Sequence, residues 1–164
     1  MKKTNPYATF FAALLLGFLI TSCSNPNPVE YNNELMTLMN DNEKDMNAMN
    51  VAMSTGDYTK AETVRSTWAK NLDNAIGKVS KIKAIKNDEG LKSAVEEGLK
   101  QYKKIASQDY VKLIELRTKE KGGDASLQPQ IQSVLHTINN GFETIGATVN
   151  KAGDAFAQKH TAAE

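Results

Sequence analysis

Apolar positions in this chain recur at spacings of three and four from Pro28 almost to the end. Between about Pro28 and Ser54, the residues Tyr31, Leu35, Leu38, Asn42, Met46, Met49 and Met53 trace one helix face. Asn42 is the polar member of that stripe. Ser54-Thr55-Gly56-Asp57 breaks the pattern, with Gly56 suited to a C-cap and Asp57 to the next N-cap. A second helix is predicted over about Tyr58–Ile85, on Ala61, Val64, Trp68, Leu72, Ala75, Val79 and Ile82. Asn87-Asp88-Glu89-Gly90 ends it. A third is predicted over about Asp88–Glu120, on Leu91, Val95, Gly98, Tyr102, Ile105, Asp109, Leu113 and Leu116. Asp109 is a poor inward residue, and its neighbour Tyr110 is placed to take over. Lys121-Gly122-Gly123-Asp124 is the clearest turn. The fourth is predicted over about Leu127–Lys159, with Ser126 as cap and Pro129 in the first turn. Its stripe is Ile131, Leu135, Ile138, Phe142, Ile145, Val149, Ala152 and Phe156. The tail from Thr161 to Glu164 is expected to fray.

No segment alternates with a period of two, so no sheet is predicted. The expectation is an all-α fold, an antiparallel up-down-up-down four-helix bundle over residues 28–160. Each helix would be roughly 40–50 Å long at about 1.5 Å per residue. The turns at Gly56, Gly90 and Gly122-Gly123 argue against a continuous coiled coil that dimerises.

The first 22 residues follow a different pattern, that of an export signal. Lys2 and Lys3 open it. Phe10 to Ile20 is an unbroken apolar run of eleven residues, short of the roughly 20 that span a bilayer. Leu19-Ile20-Thr21-Ser22-Cys23 resembles the bacterial lipobox, in which an aliphatic residue and two small ones precede a lipidated cysteine. The resemblance implies cleavage between Ser22 and Cys23, a diacylglyceryl group on the Cys23 sulfur, and acylation (a palmitate, for example) of the new amino group. Two or more acyl chains anchor a protein stably, where one does not. Cys23 is the sole cysteine, so no disulfide within the chain is possible. Residues 23–27 form a short tether. Asn27 then reads as an N-cap, with Pro28 at the first helical position and Glu30 completing a capping box. Ser24, rather than an aspartate, after the cysteine favours the outer over the inner membrane. The uncharged stretch Ser24 to Asn27 gives no support for surface export.

Charge narrows the choice of partner. The chain carries 20 basic and 19 acidic side chains, for a net +1. Lys2 and Lys3 leave with the signal, so the mature chain is close to neutral. That argues against nucleic acid and against a polybasic hold on anionic lipid.

Chemistry-bearing residues are few. Met46, Met49 and Met53 share a face and have thioethers of the kind that bind Cu(I), but the same stripe is the expected core and no His or Cys joins it. The two histidines, His136 and His160, lack the Glu-x-x-His pairing of ferritin-like metal bundles, since Ser133 and Ala157 stand where the glutamates would be. Glu34 to Lys44 resembles the first helix of soluble four-helix b-type cytochromes, including a methionine, Met36, placed four before Asn40-Asp41-Asn42. Asp154 to Lys159 resembles that family's last helix. The family's axial histidine falls on Ala157, however, and His160 lies a turn further on. The likeness is therefore one of bundle composition, and no cofactor is expected. Glu96-Glu97 falls on a solvated face. Gly56 to Ala61 is similar to a fragment of a tetratricopeptide repeat, but it occurs once and reads as a helix start. There is no Gly-x-Ser-x-Gly elbow and no phosphate-binding glycine loop, so no catalytic site is expected.

Taken whole, the chain resembles the small helical surface lipoproteins of unknown function described in spirochaetes and Bacteroidota. The resemblance rests on the lipobox, Pro28 to Asn32, and the four helical stretches. It implies an envelope location and supplies no catalytic residues. Two functions follow: a non-enzymatic, membrane-anchored protein whose surface binds a protein or glycan, or a carrier holding haem, copper or an apolar molecule between its helices. A wide gap near Gly98, Gly141 or Gly146 would favour the second.

Overall fold

In the computed structural model, residues 27–161 are described, and they contain helices and no strand. The fold is an all-α four-helix bundle. The first rod consists of α1 (Pro28–Asn40) and α2 (Glu43–Ser54), and the second is α3 (Tyr58–Lys81). The third consists of α4 (Leu91–Lys104), a π turn (Ile105–Asp109) and α5 (Tyr110–Lys121). The fourth is α6 (Gln128–Thr161). Neighbouring rods run antiparallel. Asn71 in α3 donates to Asp45 in α2 at 2.7 Å, and Lys103 in α4 pairs with Asp73 in α3 at 2.5 Å.

The stripes form the core. Tyr31, Leu35, Met49, Trp68, Leu72, Val79, Leu91, Val95, Ile131 and Ile145 are almost fully buried. Asn27 caps α1 by accepting from Val29 N at 2.9 Å. Asp57 caps α3 by accepting from Lys60 N at 2.9 Å.

Four local features differ from the periodicity. The first rod is two helices rather than one. Asn42, only 3% exposed, turns its amide back on the carbonyls of Leu38 and Met39, both at 3.1 Å. An asparagine that bonds its own backbone competes with the helix ladder, and the helix breaks there. The second rod ends at Lys81, before Ile85, because Ile82 adopts extended backbone. Lys92 Nζ donates to the Ile82 carbonyl at 2.6 Å, and α4 begins at Leu91 rather than Asp88. Asn87, Glu89 and Gly90 take left-handed backbone in that loop.

In the third rod, Ile105 and Ala106 are both buried, and the stripe then steps five residues from Ile105 to Tyr110 in place of four to Asp109. The Tyr110 amide bonds the Ile105 carbonyl, the hydrogen bond of a π turn. This one-residue slip leaves Asp109 at the edge and turns Tyr110 into the core, 5% exposed. In the fourth rod the capping residue is Asp124, not Ser126. Asp124 Oδ1 accepts from Ser126 N at 3.1 Å and from its hydroxyl at 2.5 Å, starting a 3-10 turn (Ala125–Leu127) before α6. α6 continues through Thr161, so the helix does not fray before that residue.

Candidate functional site

Ser22 and Cys23, the expected cleavage and lipidation residues, lie outside the described residues, as does the apolar run before them. Among the described residues, no helix is long and apolar enough to cross a membrane.

The other singled-out residues lie as follows. Met49 is wholly inside the core, while Met36, Met46 and Met53 pack along its edge. His136 is exposed, its ring 3.1 Å from the Asn140 amide. His160 is not at a loose end: its ring stacks on Phe156 with centroids 4.4 Å apart, and its Nε2 lies 3.1 Å from the Asn87 carbonyl. Met36, Ala157 and His160 do line one groove, of about 520 Å³. Phe156 lines it too, beneath the His160 ring. Among the described residues, no three His, Cys, Asp or Glu side chains gather as a metal site.

The gap between helices is not at Gly98 or Gly141. A Cβ on Gly98 would stand 2.9 Å from Met39 Cε and 3.2 Å from Ile145 Cγ2, and one on Gly141 would stand 2.8 Å from Ile105 Cδ1. These glycines mark close approach. Gly98 draws α1 against α4, so the first rod packs on the second and third, while α6 packs on α4 and α5. The seam between the first and fourth rods is left as the open one.

A groove of about 790 Å³ lies at the end of that seam where α2 and α5 finish. Tyr110 and Leu113 of α5 line it, together with Asn50 and Met53 from α2 and Leu135, Ile138, Asn139 and Phe142 from α6. A volume of this size is in the usual range for a small-ligand site. Three features shape its chemistry. The π turn supplies Tyr110, whose hydroxyl is pushed up to about 12 by burial and so stays neutral at physiological pH. Trp68 backs Tyr110 edge-on, with centroids 5.9 Å apart, and Phe142 meets Tyr102 at a tilt, with centroids 5.7 Å apart. The only charged side chains lining the groove are Arg117 and Lys121. Arg117 is paired with Glu120 at 2.8 Å. Lys121 donates to the Gly56 carbonyl at 3.0 Å and lies 5.7 Å from the Tyr58 ring centre.

Arg117 and Lys121 continue the Tyr110–Leu113 face of α5 at spacings of four, but a stripe read for apolar residues passes over them. The five-residue step from Ile105 to Tyr110 is the signal in the sequence that a wall residue is re-aimed here. Comparison with protein-family models, curated proteins and solved structures gives no significant match.

Proposed function

We propose that this chain is a lipid-anchored protein of the cell envelope with a non-enzymatic binding role, its anchor carried on Cys23. One observation carries the reading: the sole cysteine stands where an eleven-residue apolar run ends, four residues before the cap of the first helix. Four residues reach at most roughly 14 Å, at about 3.5 Å each. The end of the bundle that holds Asn27, the α3–α4 loop and His160 would therefore sit against the membrane, and the groove lined by Tyr110 and Lys121 would face away from it. Ser24 after the cysteine favours the outer membrane.

The test is expression of the full chain and of Cys23→Ser in a bacterial host supplied with labelled palmitate, followed by fractionation. Label and membrane sedimentation confined to the unaltered chain support the reading. Absence of label from both chains overturns it.

A second reading, a carrier of a small apolar molecule, is favoured by the open seam and its groove of about 790 Å³. The two readings are compatible, since a tethered domain can also hold a ligand.

A further inference from the structure

We infer that the groove between α2, α5 and α6 binds an anionic amphiphile, a long-chain carboxylate, with its head at Lys121 and its tail running toward Phe142. The inference deepens the carrier reading and rests on it. It does not depend on the anchor.

The argument starts from the lining. Met53, Leu113, Leu135, Ile138, Tyr110 and Phe142 present apolar surface; Met53 comes from the first rod and Leu135, Ile138 and Phe142 from the fourth, the two rods that the seam fails to close. Met53, Leu135 and Phe142 are only partly buried, although they belong to the stripes that bury their neighbours. An elongated apolar ligand would complete their burial. From Tyr110 to Lys121 the third rod rises roughly 16 Å at about 1.5 Å per residue, which suits an extended chain rather than a compact ring system. Met53 is flexible and polarisable, a wall that adapts to a tail of variable shape.

Charge decides the head group. No Asp or Glu lines the groove, and both cations are on α5, toward the Gly56 end. Glu120 compensates Arg117. Among the described residues, Lys121 has no carboxylate partner of that kind. Its ammonium carries three donors, and the Gly56 carbonyl takes one of them. A carboxylate in the groove mouth would accept another. A cationic head would meet only like charge, and a neutral head would leave the Lys121 charge uncompensated.

The test uses the full chain in isolated host membranes, or in the soluble fraction if the anchor reading fails. Without ATP, a free dodecanoate is not activated for transfer to lipid or protein. Two photoreactive probes of equal chain length are compared, a diazirine-bearing dodecanoate and its trimethylammonium counterpart, and the cross-links are mapped by peptide mass spectrometry. The expected result is labelling of the segments around Met53 and around Leu135 to Phe142, competed by unlabelled dodecanoate. The carboxylate should be preferred about two- to five-fold, the range that an exposed ion pair supports. Lys121→Glu should remove or invert that preference while the far-ultraviolet dichroism stays helical. Equal labelling by both probes overturns the anionic assignment and leaves the carrier reading standing. No labelling of these segments by either probe overturns both. Cross-links from these segments to a second copy of the chain overturn the inference by showing that the groove is a protein interface.

Discussion

The Tyr31 hydroxyl donates to Asp88 Oδ1 at 2.6 Å, tying the first turn of α1 to the loop that leads into α4. The Tyr31 ring is 2% exposed and also meets Phe156, with centroids 5.9 Å apart, so α1, α6 and the α3–α4 loop converge on one side chain. Burial first, and then the Asp88 bond and charge, raise the Tyr31 pKa well above the ordinary phenol value. The fold therefore favours the neutral phenol. In the unfolded chain Tyr31 titrates near pH ~10. Its stabilisation is complete below that pH and declines as pH rises past it. Tyr31→Phe is expected to cost about 1.5 kcal/mol at pH 7, the low end for a hydrogen bond to a charged acceptor. Urea melts at pH 8 and pH 11 check the sign: the gap between the two proteins should narrow by about 1 kcal/mol at the higher pH. A gap that stays constant would mean that Tyr31 is not linked to Asp88 in solution.

Glycines within α4 and α6 should respond in opposite directions to the same substitution. Gly98→Ala places a Cβ 2.9 Å from Met39 Cε and 3.2–3.3 Å from methyls of Ile145 and Val149. The methionine end can swing away, but the two branched side chains are fixed in the packed interior. Overpacking of this kind costs about 1–3 kcal/mol, which outweighs the gain in helix propensity of about 1 kcal/mol. A Cβ at Gly146 meets nothing within 4 Å. Gly146→Ala should therefore stabilise by about 0.5–1 kcal/mol through propensity alone. Thermal melts of the two variants should shift to opposite sides of the wild type. A stabilised Gly98→Ala would show that Ile145 and Val149 of α6 do not press on α4 at this position.

How much of this was legible in the sequence depends on the length scale of the cause. The stripes Tyr31-Leu35-Leu38 and Leu91-Val95-Gly98 predicted the buried faces because helix periodicity is local. The slip to Tyr110 was visible as a mismatch at Asp109, though not as a π turn. The break at Asn42 was not legible, because it depends on a side chain folding back on Leu38 and Met39 once buried. The open seam was not legible either. It follows from Gly98 admitting Met39, and a glycine in a stripe reads equally well as a gap or as a close contact. The groove cations Arg117 and Lys121 follow Tyr110 and Leu113 on one face of α5, but they are charged, and a search for apolar periodicity stops before them.

Asn42 is a hinge held by two hydrogen bonds, to the carbonyls of Leu38 and Met39. Asn42→Ala would strip the partner from both carbonyls at a position only 3% exposed. The expected loss is about 1–3 kcal/mol, the cost of leaving buried polar groups unpaired. Native-state hydrogen exchange should show faster exchange at Met46, whose amide bonds the Asn42 carbonyl at 3.0 Å, than in α3. Unchanged exchange there would show that the junction of α1 and α2 holds without the side chain.

Trp68 is wholly buried, and among the described residues its indole N–H is the one buried side-chain group with no hydrogen-bond partner. The ring packs on Tyr102 and Tyr110, at centroid distances of 6.4 and 5.9 Å. Trp68→Ala removes that packing beneath the groove and should cost about 3–5 kcal/mol. Trp68→Phe keeps most of the ring contact and removes a donor whose burial without a partner costs about 1–3 kcal/mol. The two effects of Trp68→Phe nearly cancel, so its stability should stay within about 1 kcal/mol of the wild type. Denaturant melts followed by circular dichroism compare all three proteins without relying on the lost fluorophore. A Trp68→Phe loss approaching that of Trp68→Ala would mean that the indole N–H is satisfied in solution, most simply by a water molecule held behind Tyr110.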